Sequence, residues 1–244
     1  KNPQDTNAWI EKGMVLSCLG RDAEAIDARE NALEIYNRTL QENPDDANVW
    51  ETKALTLAGM GRWEEAIKAY DEVIEHSPAK APGAWMDKAM CYSEGLGMIN
   101  ESIDAWVMAA ELIPINDIEN RSTIWSGMAK SLSDAGRYEE ALQAYEKAIE
   151  LNPKDARGWP NWSGKAYALY VLGRYNESIE ACDTAIDILP KHPDIWVLKG
   201  NSLYHLGRYE EALEAYDKAL EFNPKEGAAW MGKGRIFYDN GRYE

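Results

Sequence analysis

Seven of the chain's ten tryptophans recur at near-regular intervals: Trp9, Trp50, Trp85, Trp125, Trp162, Trp196 and Trp230. Each opens a similar segment, and the last two steps are both 34 residues. A fixed period of that size means one small unit used repeatedly, because such a unit cannot bury its apolar face alone and stacks on its copies. The chain is therefore read as a stack that presents surfaces to partners, a poor frame for an enclosed active site.

The cleanest copy spans 194–227. Counting from Trp196, Gly200 follows at four residues, Leu203 at seven, Gly207 at eleven and Tyr209 at thirteen. Trp196, Gly200 and Leu203 have the spacing of one helix face. Gly207-Arg208 ends that helix, because glycine accepts the left-handed conformation that helix ends favour. Ala212, Leu213, Tyr216, Ala219 and Leu220 restart the helical pattern, and Asn223-Pro224 stops it, since proline cannot continue the backbone ladder. Each unit is thus helix, tight turn, helix, tight turn, with small residues letting backbones approach and large rings filling the space around them.

The ordered pattern of Trp, Gly/Ala, Leu/Tyr, Gly-Arg-Tyr, Ala, Tyr, Ala and Asn-Pro resembles the tetratricopeptide repeat (TPR), whose period is about 34 residues. The segments GRYEEALQAYEKAIELNP at 136–153 and GRYEEALEAYDKALEFNP at 207–224 are near-identical copies, and the resemblance covers essentially the whole chain. It implies an all-α, right-handed α-solenoid of antiparallel helix pairs. Six full repeats are expected at about 6–44, 45–81, 82–120, 121–157, 159–192 and 193–226, with a final unpaired helix in 227–244, as one continuous array. Each repeat-opening tryptophan is expected to be largely buried between neighbouring helices.

The steps between tryptophans are 41, 35, 40, 37, 34 and 34 residues, so several repeats carry insertions. In the first, Ala25-Ile26 is echoed by Ala32-Leu33, and no Gly or Pro interrupts 22–43. The extra heptad therefore reads as added helix of about 10 Å rather than loop. The third repeat has one extra residue in its turn, at Gly95-Leu96-Gly97, and a polar, loop-like exit from Ile115 to Asn120. Further extra residues precede Trp162, around Gly158-Trp159-Pro160-Asn161. Insertions at turns are cheap, because closure cost grows only logarithmically with length.

Lys1-Asn2-Pro3 resembles the close of a preceding repeat, and Gly241-Arg242-Tyr243-Glu244 the start of a further second helix. The chain is read as a fragment of a longer array. The last helix, with Trp230, Ile236 and Phe237, then offers an apolar edge expected to contact a second chain.

Composition excludes several classes. With 42 acidic against 26 basic residues, a net charge of −16, the surface repels nucleic acid and anionic membranes. No stretch of 18 apolar residues exists to span a bilayer. Three scattered cysteines, Cys18, Cys91 and Cys182, suit a reducing cytoplasm. The three histidines lack ligand spacing, so neither metal nor cofactor is expected. There is no Gly-rich phosphate loop and no Cys/His couple, and acidic pairs such as Glu139-Glu140 read as solvated helix faces. No enzyme activity is expected.

By the resemblance, first helices line a concave face. Residues one, five and eight positions after each tryptophan fall away from its packing stripe. The first three repeats offer Met14, Leu55, Met86 and Met90, an apolar and adaptable surface. The later ones offer Lys130, Tyr167, Tyr170, Asn201, Tyr204 and Arg235, where tyrosine gives contact area at low entropy cost. Solenoid inner faces are also apolar for packing between helices, yet the surface as a whole favours binding. Some TPR adaptors clamp a terminal carboxylate with Lys and Asn on adjacent first helices, and that clamp is missing here.

Lysine stands three residues after six of the seven tryptophans, at 12, 53, 88, 165, 199 and 233, with Met128 in the remaining repeat. Such a ladder either binds an acidic peptide or lays each stem along the neighbouring ring, and the shared helix face favours packing. Five Asn-x-Ser/Thr triplets occur, at Asn37, Asn100, Asn120, Asn161 and Asn176. Two of them place their serine where helix packing requires a small residue. The expected function is a non-enzymatic scaffold holding a protein or peptide segment in its groove. The alternative is an accessory array of a larger enzyme or regulator.

Overall fold

The computed structural model describes residues 5–152 and 159–239. Among them stand thirteen α-helices, with no strand. They fall into two compact units, one up to Pro114 and one from Ile115 onward.

The N-terminal unit holds α1 (Thr6–Cys18), α2 (Asp22–Glu42), α3 (Ala47–Ala58), α4 (Trp63–His76), α5 (Ala81–Met90) and α6 (Ile99–Leu112), each packed on the next. Helix α2 runs unbroken for 21 residues, so the extra heptad of the first repeat is helix as expected. Its added face buries Ala32, Leu33 and Tyr36 in a core shared with Leu57, Tyr70 and Val73.

The extra residue of the third repeat is not a looped turn. It is absorbed in a π-helical turn, Cys91–Leu96, that continues α5 and ends at Gly97 in the left-handed region, φ 66°. One added residue widens a helical turn without breaking it. Gly95 is required within it, because a β-carbon there would stand 2.3 Å from the Trp63 ring.

The C-terminal unit holds α7 (Ile118–Asp134), α8 (Tyr138–Leu151), α9 (Trp159–Val171), α10 (Tyr175–Ile188), α11 (Pro193–His205), α12 (Tyr209–Phe222) and α13 (Gly227–Asp239). Each packs on the next, and the first helices α7, α9, α11 and α13 also touch in succession. The expected loop at 115–120 is shorter than that. Asp117 caps α7 by accepting from the Asn120 backbone N–H at 3.2 Å, so Ile118, Glu119 and Asn120 are already helix. Helix α9 starts at Trp159, with Pro160 in its first turn where the missing N–H costs nothing. Gly158 lies outside the described residues.

The turn between paired helices is one device used again and again. Gly20, Gly61, Gly97, Gly136, Gly173 and Gly207 all have φ between 66° and 75°. At Gly207 the N–H donates to the Tyr204 carbonyl at 2.9 Å, and the Arg208 N–H to that of Leu203 at 3.0 Å. These bonds satisfy carbonyls that a helix end leaves open. The following arginine then grips a glutamate three residues on in five of the turns, as in Arg208–Glu211 and Arg137–Glu140.

Six of the seven repeat tryptophans are largely, though not fully, buried as expected, whereas Trp230 is 55% exposed. Their indole N–H explains the position. Where tryptophan follows proline by six residues it donates to that proline's carbonyl, as Trp50 to Pro44 at 2.7 Å, Trp196 to Pro190 at 2.9 Å and Trp230 to Pro224 at 3.1 Å. A ring tied to a solvent-facing turn keeps one edge wet. The deepest packing belongs instead to Tyr70, Tyr216, Leu203, Leu169 and the small helix residues around them. Ile236 is likewise buried, so the exposed large apolar and aromatic residues of α13 are Trp230, Met231, Phe237 and Tyr238.

Candidate functional site

The lysines after the tryptophans are structural props. Lys12, Lys53, Lys88, Lys165, Lys199 and Lys233 each place their ammonium 4.3–5.6 Å from the centre of their own tryptophan ring. Lys88, Lys165, Lys199 and Lys233 reach on to Asp71, Glu146, Asp183 and Asp217 of the preceding second helix. Where Met128 replaces the lysine, Lys147 on α8 supplies the cation over Trp125, at 4.2 Å. With the ring engaged in all six and a carboxylate as well in four, this row is committed mainly to packing.

The serines of the two packing triplets are equally committed. Ser102 and Ser178 are fully buried and donate to the carbonyls of Ala89 and Ala166, both at 2.8 Å. Cys91 and Cys182 are buried, and burial pushes their thiols up to about 11 and about 12, far from reactive thiolates. Among the described residues no cluster of His, Cys, Asp or Glu is arranged to hold a metal, and no helix is long and apolar enough to cross a membrane.

The first-helix face remains. In the N-terminal unit Met14 on α1, Leu55 on α3 and Met90 on α5 are about half exposed, and Met86 is partly covered. In the C-terminal unit the predicted residues converge. Tyr167, Tyr170 and Asn201 line a cleft of about 500 Å³ together with Ser163, Val197 and Leu198. Tyr170 and Asn201 continue into a second cleft of about 240 Å³, which Tyr204, Tyr216, Met231 and Arg235 complete. Lys130, exposed on α7, lines neither.

The same geometry fixes the chemistry of these clefts. The buried Tyr216 hydroxyl donates to Asn201 Oδ1 at 2.7 Å, which directs the Asn201 amide nitrogen to outside acceptors. Burial pushes the Tyr216 phenol up to about 12, so it stays a neutral donor. Tyr204 hydrogen-bonds Asp239 through its hydroxyl, and the Arg235 guanidinium lies 4.6 Å from the centre of the Tyr204 ring. Tyr170 Oη is 3.3 Å from His205 Nε2, and the His205 ring stacks on Tyr175 at 4.7 Å. Burial and the neighbouring Arg235 charge hold His205 below its ordinary value, hence neutral at pH 7. Tyr216 and His205 are site residues that the spacing rules do not reveal. Tyr216 reads in sequence as pure core, and its reach into the groove depends on Asn201 standing on the neighbouring helix.

A tetratricopeptide repeat model matches residues 122–155 and 193–226, and a second tetratricopeptide repeat model matches 5–79. No curated protein matches the sequence. Among solved structures the fold is similar to YrrB, described as a TPR protein with an unusual peptide-binding site. The identity there is 22%, with 82% of this chain and 97% of that one covered, at a TM-score of 0.67. It is similar to MamA from Desulfovibrio magneticus RS-1 at 18% identity, covering 74% of this chain and 97% of the other, at 0.65. A third likeness is the APC/C hetero-tetramer Cut9–Hcn1, at 15% identity, 97% of this chain, 43% of that one and 0.65. With recurring helix hairpins, six left-handed glycine turns and family models covering more than half its length, the chain belongs to the tetratricopeptide repeat family, whose members mediate protein–protein contacts.

Proposed function

We propose that this protein is a non-enzymatic scaffold that holds a peptide segment of a partner protein on its first-helix face, with the principal site in the C-terminal unit. One observation carries the reading: Tyr167, Tyr170, Asn201, Tyr204 and Arg235, from three successive first helices, line two adjoining clefts. Concave sites with apolar walls and a few convergent polar groups are the usual form of binding pockets. Large rings with an arginine and an amide are also the residues that dominate binding energy in interfaces. The peptide-binding site named for YrrB is in keeping with this use of the fold. Met14, Leu55, Met86 and Met90 form a separate apolar face for adaptable contacts in the N-terminal unit.

The test is a panning of displayed random peptides on the intact chain, followed by affinity measurement of the enriched sequences. Changing Tyr167 and Arg235 together to Ala is expected to weaken them at least tenfold, about 1.4 kcal/mol, with the helical signal unchanged. Changing Glu139 and Glu140 on the outer face to Ala is expected to leave affinity as it was. The reverse pattern would place the partner on the outer face and refute the assignment.

A further inference from the structure

Two rows of side chains repeat across α9, α11 and α13. Five residues after the tryptophan stand Tyr167, Asn201 and Arg235, and eight residues after it a tyrosine stands on every one of the three helices, Tyr170, Tyr204 and Tyr238. The corresponding residues on α1, α3 and α7 are Ser17, Ala58 and Ser133, so the tyrosine row belongs to these three helices. Because α9 touches α11 and α11 touches α13, equivalent side chains recur at the helix-packing distance of about 8–10 Å.

Resting on the groove reading above, we infer that the occupant is a proline-rich segment in the polyproline II conformation, with proline at every third position and basic flanks. A polyproline II chain turns once per three residues and rises about 9 Å in doing so, which matches the helix spacing and brings the same face to each successive tyrosine. An extended strand repeats its face after two residues, about 7 Å, and falls out of step. An α-helix repeats every turn, about 5.4 Å, and its carbonyls are already bonded internally.

Hydrogen-bonding inventory points the same way. Asn201 has its oxygen occupied by Tyr216 and offers its amide nitrogen, and Arg235 offers only donors. Free backbone carbonyls are what these groups require, and polyproline II leaves every one of them free. The Tyr204 hydroxyl is engaged by Asp239 and one side of its ring by the Arg235 guanidinium, so its contribution is the exposed remainder of the ring, a platform for a proline ring. Asp194 stands exposed at the rim of the larger cleft on a chain of net charge −16, which draws basic residues on either side of the proline core.

The experiment compares lysine-flanked peptides of one composition, with proline at every second, third or fourth position. Their binding to the intact chain is followed by fluorescence anisotropy at low and high salt. The third-position register is expected to bind at least tenfold more tightly than the other two, and to weaken as salt rises. Tyr204→Phe should bind it as the natural chain does, whereas Tyr204→Ala, with its helical signal intact, should lose about tenfold. Equal affinity for the three registers, or tighter binding of an amphipathic helical peptide, overturns the inference. The groove reading stands in that event if the Tyr167/Arg235 double change still abolishes capture. If that change leaves every peptide's affinity unaltered, both readings fall together.

Discussion

Tyr70 on α4 and Tyr216 on α12 stand at the same place in their repeats, nine residues after the turn glycine, and each is 1% exposed. Their surroundings differ in a way that separates the two units. Tyr216 is wedged between Gly200 of α11 and Gly232 of α13; a β-carbon at either would lie 2.6 or 2.3 Å from its ring. Its hydroxyl then reaches Asn201, so a core ring sets the donor direction of a groove residue. Beside Tyr70 the residue equivalent to Gly232 is Asp87, and the one equivalent to Asn201 is the apolar, exposed Leu55. The tyrosine there is turned toward a carboxyl group that burial makes harder to ionise. One repeat position thus couples core to groove in the C-terminal unit and leaves them uncoupled in the N-terminal one.

Removing the ring is the severest way to break this comparison. Tyr216→Ala empties a fully buried site and strips Asn201 of its partner, at an expected cost of about 3–5 kcal/mol. Packing in a repeat stack is nearest-neighbour, so hydrogen exchange should show protection lost in α11–α13 and kept in α1–α5. Tyr70→Ala should mirror this in α3–α5. Loss spread evenly over the chain in either case would contradict a locally stabilised array. Only the Tyr216 change should also reduce peptide capture, because only that ring is bonded to the groove.

Adding atoms is the milder perturbation. Gly232→Ala, and likewise Gly164→Ala against the Tyr145 ring of α8, should overpack a well-filled interface at about 1–3 kcal/mol. Better helix propensity returns at most about 1 kcal/mol of that. The equivalent change at 87, Asp87→Ala, meets no such ring. Thermal melts of the three variants would test the contrast, and an unchanged midpoint for Gly232→Ala would remove the wedge from the account.

Much of this architecture is legible in the sequence because turns and spacings are local. Gly-Arg-Tyr, Asn-Pro and the uninterrupted run 22–43 each dictate backbone geometry on their own, and the long α2 follows directly. Outcomes set by neighbours in space are the ones that spacing does not reveal. The extra residue is absorbed as a π turn, and Gly95 within it lies against the Trp63 ring, a contact 32 positions away in the chain. Asp117 and Asn120 carry a helix-start signal that a merely polar reading of the segment hides. Trp50, Trp196 and Trp230 keep one edge at the surface because their N–H bonds a proline carbonyl, and Lys147 replaces a lysine missing from α7 by reaching across from α8. The site rows are visible as spacing, while the convergence of Tyr216 and His205 on them needs the packing of α11 against α12 and α13.

The gentlest test of the comparison is a pH series on Asp87. Burial raises its carboxyl pKa above the ordinary carboxylate value, and the Tyr70 hydroxyl offsets only part of that. A folded-state pKa above the unfolded one means the folded chain holds this proton more tightly. The stabilisation is complete below the unfolded value near 3.9 and is lost as pH rises through the folded value. Asp87→Asn keeps an acceptor for Tyr70 and removes the charge, so its advantage over the natural chain should grow from about pH 4 upward and then level off. Glu65, held low by Arg62 in the same unit, has the opposite sign, since its contribution is lost as pH falls. It is present in both proteins, so the difference between the two melting curves isolates Asp87. The effect should be smaller than either packing change. A flat difference across that range would mean that Asp87 is as well solvated in the folded chain as in the unfolded one, and Tyr70 would then differ from Tyr216 by shape alone.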